Sequence, residues 1–265
     1  SRIVNWRAKL TEALWTGAIG AALSSALGLV LLKAPVGDGL IRRSYDMPFA
    51  FTPASTNVDQ VYLILQDNPT YDYFKQDYDK RLDRALHVQL LEKLRQDQAR
   101  MVVFDVIFND PGDTRTNLML AQAMTNFGPV VLAATLEKIS LLGGGITKPV
   151  MPEEIFQQAV GTNWGYSLVK PDGDDVLRWH YEPPTEEPSL GWQAAVLAKA
   201  LITANPANRL AEKRWIRYYG PPDSTIPQVS YYMALDKTNG FFRDKIVFIG
   251  GKPGTLTRGE ISDTF

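Results

Sequence analysis

The chain of 265 residues contains no cysteine and only two histidines, His87 and His180. The missing thiols exclude disulfides, thiolate nucleophiles, iron–sulfur clusters and Cys-based zinc sites, and two histidines argue against a histidine-rich metal centre. An excess of one charge is lacking too. The 28 Lys plus Arg against 29 Asp plus Glu leave a formal net charge of −1, so no general attraction to nucleic-acid phosphates is expected. Neither a Gly-x-Ser-x-Gly elbow nor a Gly-Lys-Ser/Thr phosphate loop occurs, which argues against serine hydrolases and P-loop enzymes. Apolar side chains are plentiful: 45% of the residues are hydrophobic, enough for a packed core.

One run free of charge and almost wholly apolar is ALWTGAIGAALSSALGLVLL, the 20 residues from Ala13 to Leu32. As a helix rising roughly 1.5 Å per residue it spans about 30 Å, the thickness of a bilayer's hydrocarbon core. A buried helix of a soluble core would carry a polar stripe, whereas here only Thr16, Ser24 and Ser25 are polar, so the expectation is a transmembrane helix in a lipid bilayer. With Arg2, Arg7 and Lys9 on one side and Lys33, Arg42 and Arg43 on the other, the distribution gives only a slight preference for a cytoplasmic N-terminus. LKAPVGDG is a poor cleavage site, so the span reads as an uncleaved signal anchor, and Ser1 in place of Met reads as a chain with residues missing upstream. Thr16, Gly20, Ser24 and Gly28 recur every four residues on one face of this helix. They suit close approach of a second copy or of another membrane subunit, and equally the ordinary frequency of small residues in membrane spans.

The expected organisation is an N-terminal tail over residues 1–12, the span over 13–32, a juxtamembrane connection over 33–57 and a folded domain over 58–265. Residues 33–57 mix Pro, Gly and charge without periodicity and read as connection and loop. Beyond them, VYLIL (Val61–Leu65), MVVFDVIF (Met101–Phe108), VVLAATL (Val130–Leu136) and IVFI (Ile246–Ile249) are apolar on both faces, as parallel strands covered by helices are. Leu82, Leu86, Leu90 and Leu94 mark a helix between the first two runs. Leu120, Ala121, Met124 and Phe127 mark one between the next two, stopped by Gly128 and Pro129. Leu190, Ala194, Leu197, Ala198 and Leu201 mark a third, ended by Asn205 and Pro206. A β-hairpin is expected from Asn163–Leu168 and Val176–Tyr181 around the turn KPDGDD, with short strands at Trp215–Tyr219 and Gln228–Ser230. The fold class is therefore α/β: a mostly parallel sheet with helices on both faces, preceded by one N-terminal transmembrane helix.

Chemistry-bearing residues are sparse. Asp67, Asn109, Asp110, Glu137 and Gly250 each follow an expected strand and so converge on the carboxyl edge, where open α/β sheets bind ligands. Asp105 lies inside an apolar run and, once buried, would need a cation such as Arg84 or several donors. Gly250, Gly251 and Gly254 follow the last strand and fit either an anion cradle or a strand exit of unusual backbone angles, the latter being the better fit. Gly143–Gly145 reads as a surface loop without chemistry. Asp172, Asp174 and Asp175 lack the later Gly and Glu of a calcium loop and read as a turn, and His87 and His180 read as structural. Tyr71, Tyr73, Phe74 and Tyr78 fit an aromatic lip or, better, a solvated loop with a few packed rings. The candidate ligand residues are Asp67, Arg84, Asp105, Asn109, Asp110, Glu137, Gly250 and Gly251; no catalytic set, metal or cofactor is expected.

The order of these features resembles the type-two CHASE domain: the span, Tyr45-Asp46, a first strand ending in Asp, the Leu helix led by Arg84, VVFDVIF with Asp105, LAQAM, Gly128 in GPVVLA, DGDDVLR closing on Arg178, IVFIGG with Gly250, and Asp263 in DTF. The chain departs from that pattern at Asn117, where the family usually has Asp, and at Asp175, where it usually has Gly. The resemblance implies a non-enzymatic, extracytoplasmic sensor of a bacterial receptor, binding an unknown small molecule and followed by further spans and a cyclase or kinase that would lie beyond Phe265. The alternative is an accessory subunit of a membrane complex that senses nothing. A hydrolase or transferase would need a nucleophile and base that the sequence does not offer.

Overall fold

The computed structural model describes residues 4–33, 35–51, 58–141, 144–183, 186–210, 214–220 and 225–252. The chain divides into two compact units, Ser1–Ala54 and Ser55–Phe265.

The first unit contains α1 (Val4–Lys33) and α2 (Pro35–Phe51). Within α1 the stretch Lys9–Leu31 is long and apolar enough to cross a membrane, and none of it is buried. Leu14, Trp15, Leu23 and Leu27 are each more than 60% exposed. The connection expected over 33–57 is instead helical across most of its length. Pro35 occupies the first helical position, where its missing N–H costs nothing, and Tyr45 and Phe49, one turn apart, meet edge to face at 5.1 Å. Pro48 lies inside the helix; the reading of Pro and Gly as punctuation overweighted residues that a helix accommodates at its start and near its end.

The second unit is an α/β layer structure: β1 (Val61–Gln66), α3 (Asn68–Phe74), α4 (Arg84–Gln96), β2 (Met101–Asp105), α5 (Thr114–Phe127), β3 (Val130–Leu141), β4 (Gly144–Val150), α6 (Glu154–Val160), β5 (Trp164–Tyr166), α7 (Leu190–Leu197), β6 (Gln228–Ser230), α8 (Tyr231–Leu235) and β7 (Ile246–Gly251). The strand order is β4-β3-β2-β7-β1-β6, with β5 beside β3. All pairings are parallel except β3 with β4. The steps β1 to β2, β2 to β3, β3 to β5 and β6 to β7 all run the same way across the sheet, so right-handed crossovers place their helices on one face. There α4, α5, α6 and α8 enclose the larger core, including Leu90, Leu94, Phe104, Leu120, Phe156 and Ile249. The return from β5 to β6 runs the opposite way, and α7 accordingly covers the other face, packing Leu190 and Ala194 against Val103, Val131 and Ala133.

The expected Leu helix begins at Arg84, capped by Asp83, so Leu82 lies just before it yet remains buried. The second helix stops at Gly128, whose φ of 99° only glycine adopts readily. The third is shorter than its apolar pattern, ending at Leu197 before a 3₁₀ turn at Leu201–Ala204. The hairpin around KPDGDD does not form. Trp164–Tyr166 pairs with β3, whereas Trp179 bridges Trp215, within the strand expected at 215–219. Gly144 and Gly145 belong to β4 rather than to a loop, and Gly143 lies outside the described residues.

His87 is structural. Its Nδ1 lies 2.8 Å from the Tyr231 hydroxyl, and the ring meets Phe104 and Phe108 edge to face. Burial, helped by the Arg84 charge, lowers its pKa to about 3, so the folded imidazole stays neutral where the unfolded one, near 6.5, takes up a proton. The contribution to stability is complete above pH 6.5 and is lost as pH falls toward 3. His87→Gln, which keeps an acceptor for Tyr231, should flatten the pH dependence of urea unfolding between pH 6 and 4 by about 1.4 kcal/mol per pH unit.

Candidate functional site

The parallel strands end together on one edge, and the register sets what stands there. Leu65 and Asp105 flank Gly250, and Gln66 pairs with Gly251. Asp67 lies one residue past β1. It is 7% exposed and caps α3 by accepting from Thr70 N at 3.1 Å and Thr70 Oγ1 at 2.6 Å; its other oxygen accepts from Ser230 Oγ at 2.5 Å. Asp67 thus fastens β1, α3 and β6 together. Asp105 differs from its expected state. As the last residue of β2 it is exposed rather than buried, and its Oδ1 accepts from Ser167 Oγ at 2.5 Å, just beyond β5. A Cβ on Gly250 would stand 3.2 Å from Asp105 Cβ. The glycine is therefore explained by close approach of two strand ends, not by a left-handed backbone.

Arg84 does not meet Asp105 in any bond described. Its guanidinium donates to Asn117 Oδ1 at 2.6 Å, Glu153 Oε1 at 2.8 Å and the Asp110 carbonyl at 2.7 Å, and lies 5.2 Å from the Phe156 ring centre. This joins α4, α5, the loop after β2 and the start of α6. Gly112 makes room for it: a Cβ there would fall 2.4 Å from Arg84 Nη1. Asp110 pairs with Arg81 Nε at 3.0 Å, and Asn109 is exposed beside it. Glu137 does not follow a strand, because β3 runs on to Leu141 and sets Glu137 opposite Lys148 of β4. Of the aromatic lip, Tyr71 is buried, Tyr73 stacks on Tyr232 at 4.8 Å and the Tyr78 hydroxyl donates to Asp72.

A cavity of about 210 Å³ opens beyond β5, beside Asp105 and Ser167. Tyr166, Trp179 and Tyr181 give it aromatic walls, and Leu168, Leu177 and Ile216 aliphatic ones, with Ser167, Ser189, His180 and Gly191 at its polar side and rim. The segment carrying Leu177 to Tyr181 is held by Arg178, 2% exposed. Arg178 grips Asp174 with two bonds of 2.7 and 2.9 Å and reaches Asp172 at 3.1 Å, so these carboxylates serve an arginine rather than calcium. Residues 178–180 also pair with 214–216, His180 N donating to Arg214 O and Ile216 N to Arg178 O. This brings Trp179 and Trp215 together at 3.4 Å. Opposite them Ser189 caps α7, and its neighbour Gly165 in β5 permits the contact: a Cβ there would meet Ser189 O at 2.6 Å. Partial burial and the Arg214 charge hold His180 below the ordinary imidazole range, so it is neutral at pH 7.

A family model described as the CHASE2 domain matches residues 19–257. The chain belongs to the CHASE2 family. CHASE2 domains are sensory extracellular domains of signal-transduction receptors, not catalytic modules. Comparison with curated proteins and with solved structures gives no match. In this CHASE2 domain the resemblance residues have structural work: Arg84 and Arg178 are the hubs of two ion-pair knots, and Gly128 ends α5. Tyr45 and Asp46 lie on α2, while Gly254 and Asp263 lie outside the described residues. Sequence reading missed Ser167, Trp179, Tyr181 and Ser189, which come from segments far apart in the chain; the cluster Trp179-His180-Tyr181 was the available signal.

The two edge carboxylates should differ on substitution. Asp67→Ala removes a cap and a cross-strand bond at a buried site and should lower stability by about 2 kcal/mol, whereas exposed Asp105→Ala should change it far less. Gly165→Ala, forced against backbone, should cost about 1–3 kcal/mol. Urea unfolding followed by far-UV circular dichroism measures all three.

Proposed function

We propose that this CHASE2 domain is the membrane-anchored input of a bacterial signal-transduction receptor, with α1 in the bilayer and residues 58–265 outside the cytoplasm. What carries the reading is the family match across residues 19–257, taken together with a helix whose Lys9–Leu31 stretch is apolar and wholly unburied beside it in sequence. A small molecule bound at the carboxyl edge would favour one of two conformations of the domain, and the difference would pass through membrane helices to a cytoplasmic cyclase or kinase. Among the candidate ligand residues, Asp105, Gly250 and Gly251 face the open edge, with Asn109 and Asp110 on the loop nearby. Asp67 and Arg84 support that edge from beneath, and Glu137 stands on the β3–β4 extension. Thr16, Gly20, Ser24 and Gly28 would form the face through which α1 meets a second copy or another membrane subunit.

Alkaline phosphatase fused after Lys252 should be active in bacteria and green fluorescent protein at the same point dark; the reverse pattern rejects the orientation. With α1 intact the protein should sediment with membranes and resist carbonate extraction. Replacing Gly20, Ser24 and Gly28 together by Leu should weaken association in bilayers, and unchanged association removes the helix-face assignment.

A further inference from the structure

The aromatic cavity at the end of β5 has chemistry specific enough to name a ligand class. Among the described residues no Asp, Glu, Lys or Arg lines it, so a formal charge on an occupant would meet no opposite charge in that lining. Its aromatic lining is Tyr166, Tyr181 and Trp179, the last in ring contact with Trp215 at 3.4 Å. Aromatic side chains pack well against other flat apolar groups. The volume of about 210 Å³ exceeds the roughly 150 Å³ of a protein cavity that accepts benzene, which sets the size at one ring or two small fused ones.

The polar side is just as directional. Ser167 Oγ donates its only proton to Asp105 Oδ1 at 2.5 Å, and Ser189 Oγ donates its own to Glu182 Oε1. Ser189 Oγ also accepts from Trp192 N at 3.1 Å. A carboxylate can only accept, so both hydroxyl protons are committed away from the cavity, and Ser167 offers lone pairs to an occupant. The group on a ligand that matches Ser167 is therefore a donor, while His180, also in the lining, brings one donor and one acceptor nitrogen.

We propose that this cavity binds an uncharged ring compound carrying a hydroxyl or N–H donor, stacked between Trp179 and the tyrosines with its donor on Ser167. The proposal rests on the sensory reading above and names what that input site takes.

One rim position can carry a bulky side chain without harming the fold. Gly191 is on the rim at the start of α7, and a Cβ there would meet nothing within 4 Å. Its φ is not in the left-handed region, and leucine favours helix over glycine. The test titrates the full chain, in lipid nanodiscs, with four probes sharing one ring: phenol, anisole, tyramine and 4-hydroxyphenylacetate. Phenol should bind saturably, at least about tenfold more tightly than anisole, which lacks the donor, and than either charged probe. Gly191→Leu should reduce phenol affinity at least about tenfold while keeping or raising the melting temperature, and that pair also corrects for probe dissolving in lipid. Ser167→Ala should bring phenol down to the level of anisole.

Absence of saturable phenol binding, equal binding of a charged probe, or unchanged affinity in Gly191→Leu overturns the proposal. Output of the whole receptor separates this from the sensory reading. If the ligand class fails while output still answers an extracytoplasmic stimulus, only the ligand assignment falls. If phenol binds but output ignores it and is indifferent to Gly191→Leu, the cavity stands and the sensory reading falls.

Discussion

The architecture depends on the insertion of β7 between β1 and β2. Until Ile246–Gly251 is in place, the strands nearest the start of the domain have no common neighbour, because β1 pairs with β7 on one side and β6 on the other, and β2 with β7 and β3. The insertion is guided by a buried carboxylate. Asp97, fully inaccessible at the end of α4, accepts from Gly240 N at 2.8 Å, Phe242 N at 3.3 Å and Lys93 Nζ at 2.6 Å. It thereby fixes the segment that leads into β7, and Arg100 N and Met101 N both reach Lys245 O at the entry to the strand. A charge buried in this way is costly to leave unpaired, which makes the arrangement specific to one path of the chain. The same insertion creates the carboxyl edge, since it alone sets Gly250 beside Asp105 and Gly251 beside Gln66.

Charged side chains elsewhere act as fasteners of the same kind. Arg84 ties three helices and a loop, Arg178 tightens the turn that supports the cavity, and Asp67 locks β6 to β1. The departure at Asn117 has a physical account within the first of these. Its amide oxygen accepts from Arg84 while its nitrogen lies 3.4 Å from Glu153 Oε2. An aspartate could accept from Arg84 but would face Glu153 with like charge, so the amide is matched to the presence of that glutamate.

Much of the fold was legible because its signals were local. Strands buried on both faces read as continuous apolar runs, the leucines of α4 recur every turn, and Gly128-Pro129 closes α5 as its chemistry requires. The misreadings within the second unit largely share a cause: they concern which segment pairs with which. KPDGDD is a real turn, with Asp175 N donating to Asp172 O, yet its flanks find partners in β3 and in residues 214–216 instead of each other. Asp105 looked buried because apolar residues follow it, but the strand stops there and the apolar residues continue in another direction. The cavity was invisible for the same reason, its walls arriving from 166–169, 177–181, 189–191 and 216, with no spacing that links them.

The cavity's two sides are unequal in stiffness. On the β5 side Gly165 already touches Ser189 backbone as closely as a glycine allows, with the added atom of an alanine falling only 2.6 Å from the Ser189 oxygen, and β5 is hydrogen-bonded to β3 along its length. On the other side stands a segment that, among the described residues, is held by one bridge, by Arg178 and by the tilted contact of two tryptophans. For the ligand proposed above, the sheet would be the fixed wall and the 177–181 side the one to give way. Displacement there would act on Arg178 and its aspartates, a set of charge-assisted bonds that hold only within a narrow geometry. An interaction that is strong in one arrangement and lost in another is what a two-state element requires, and here it lies directly behind the wall that an occupant would press.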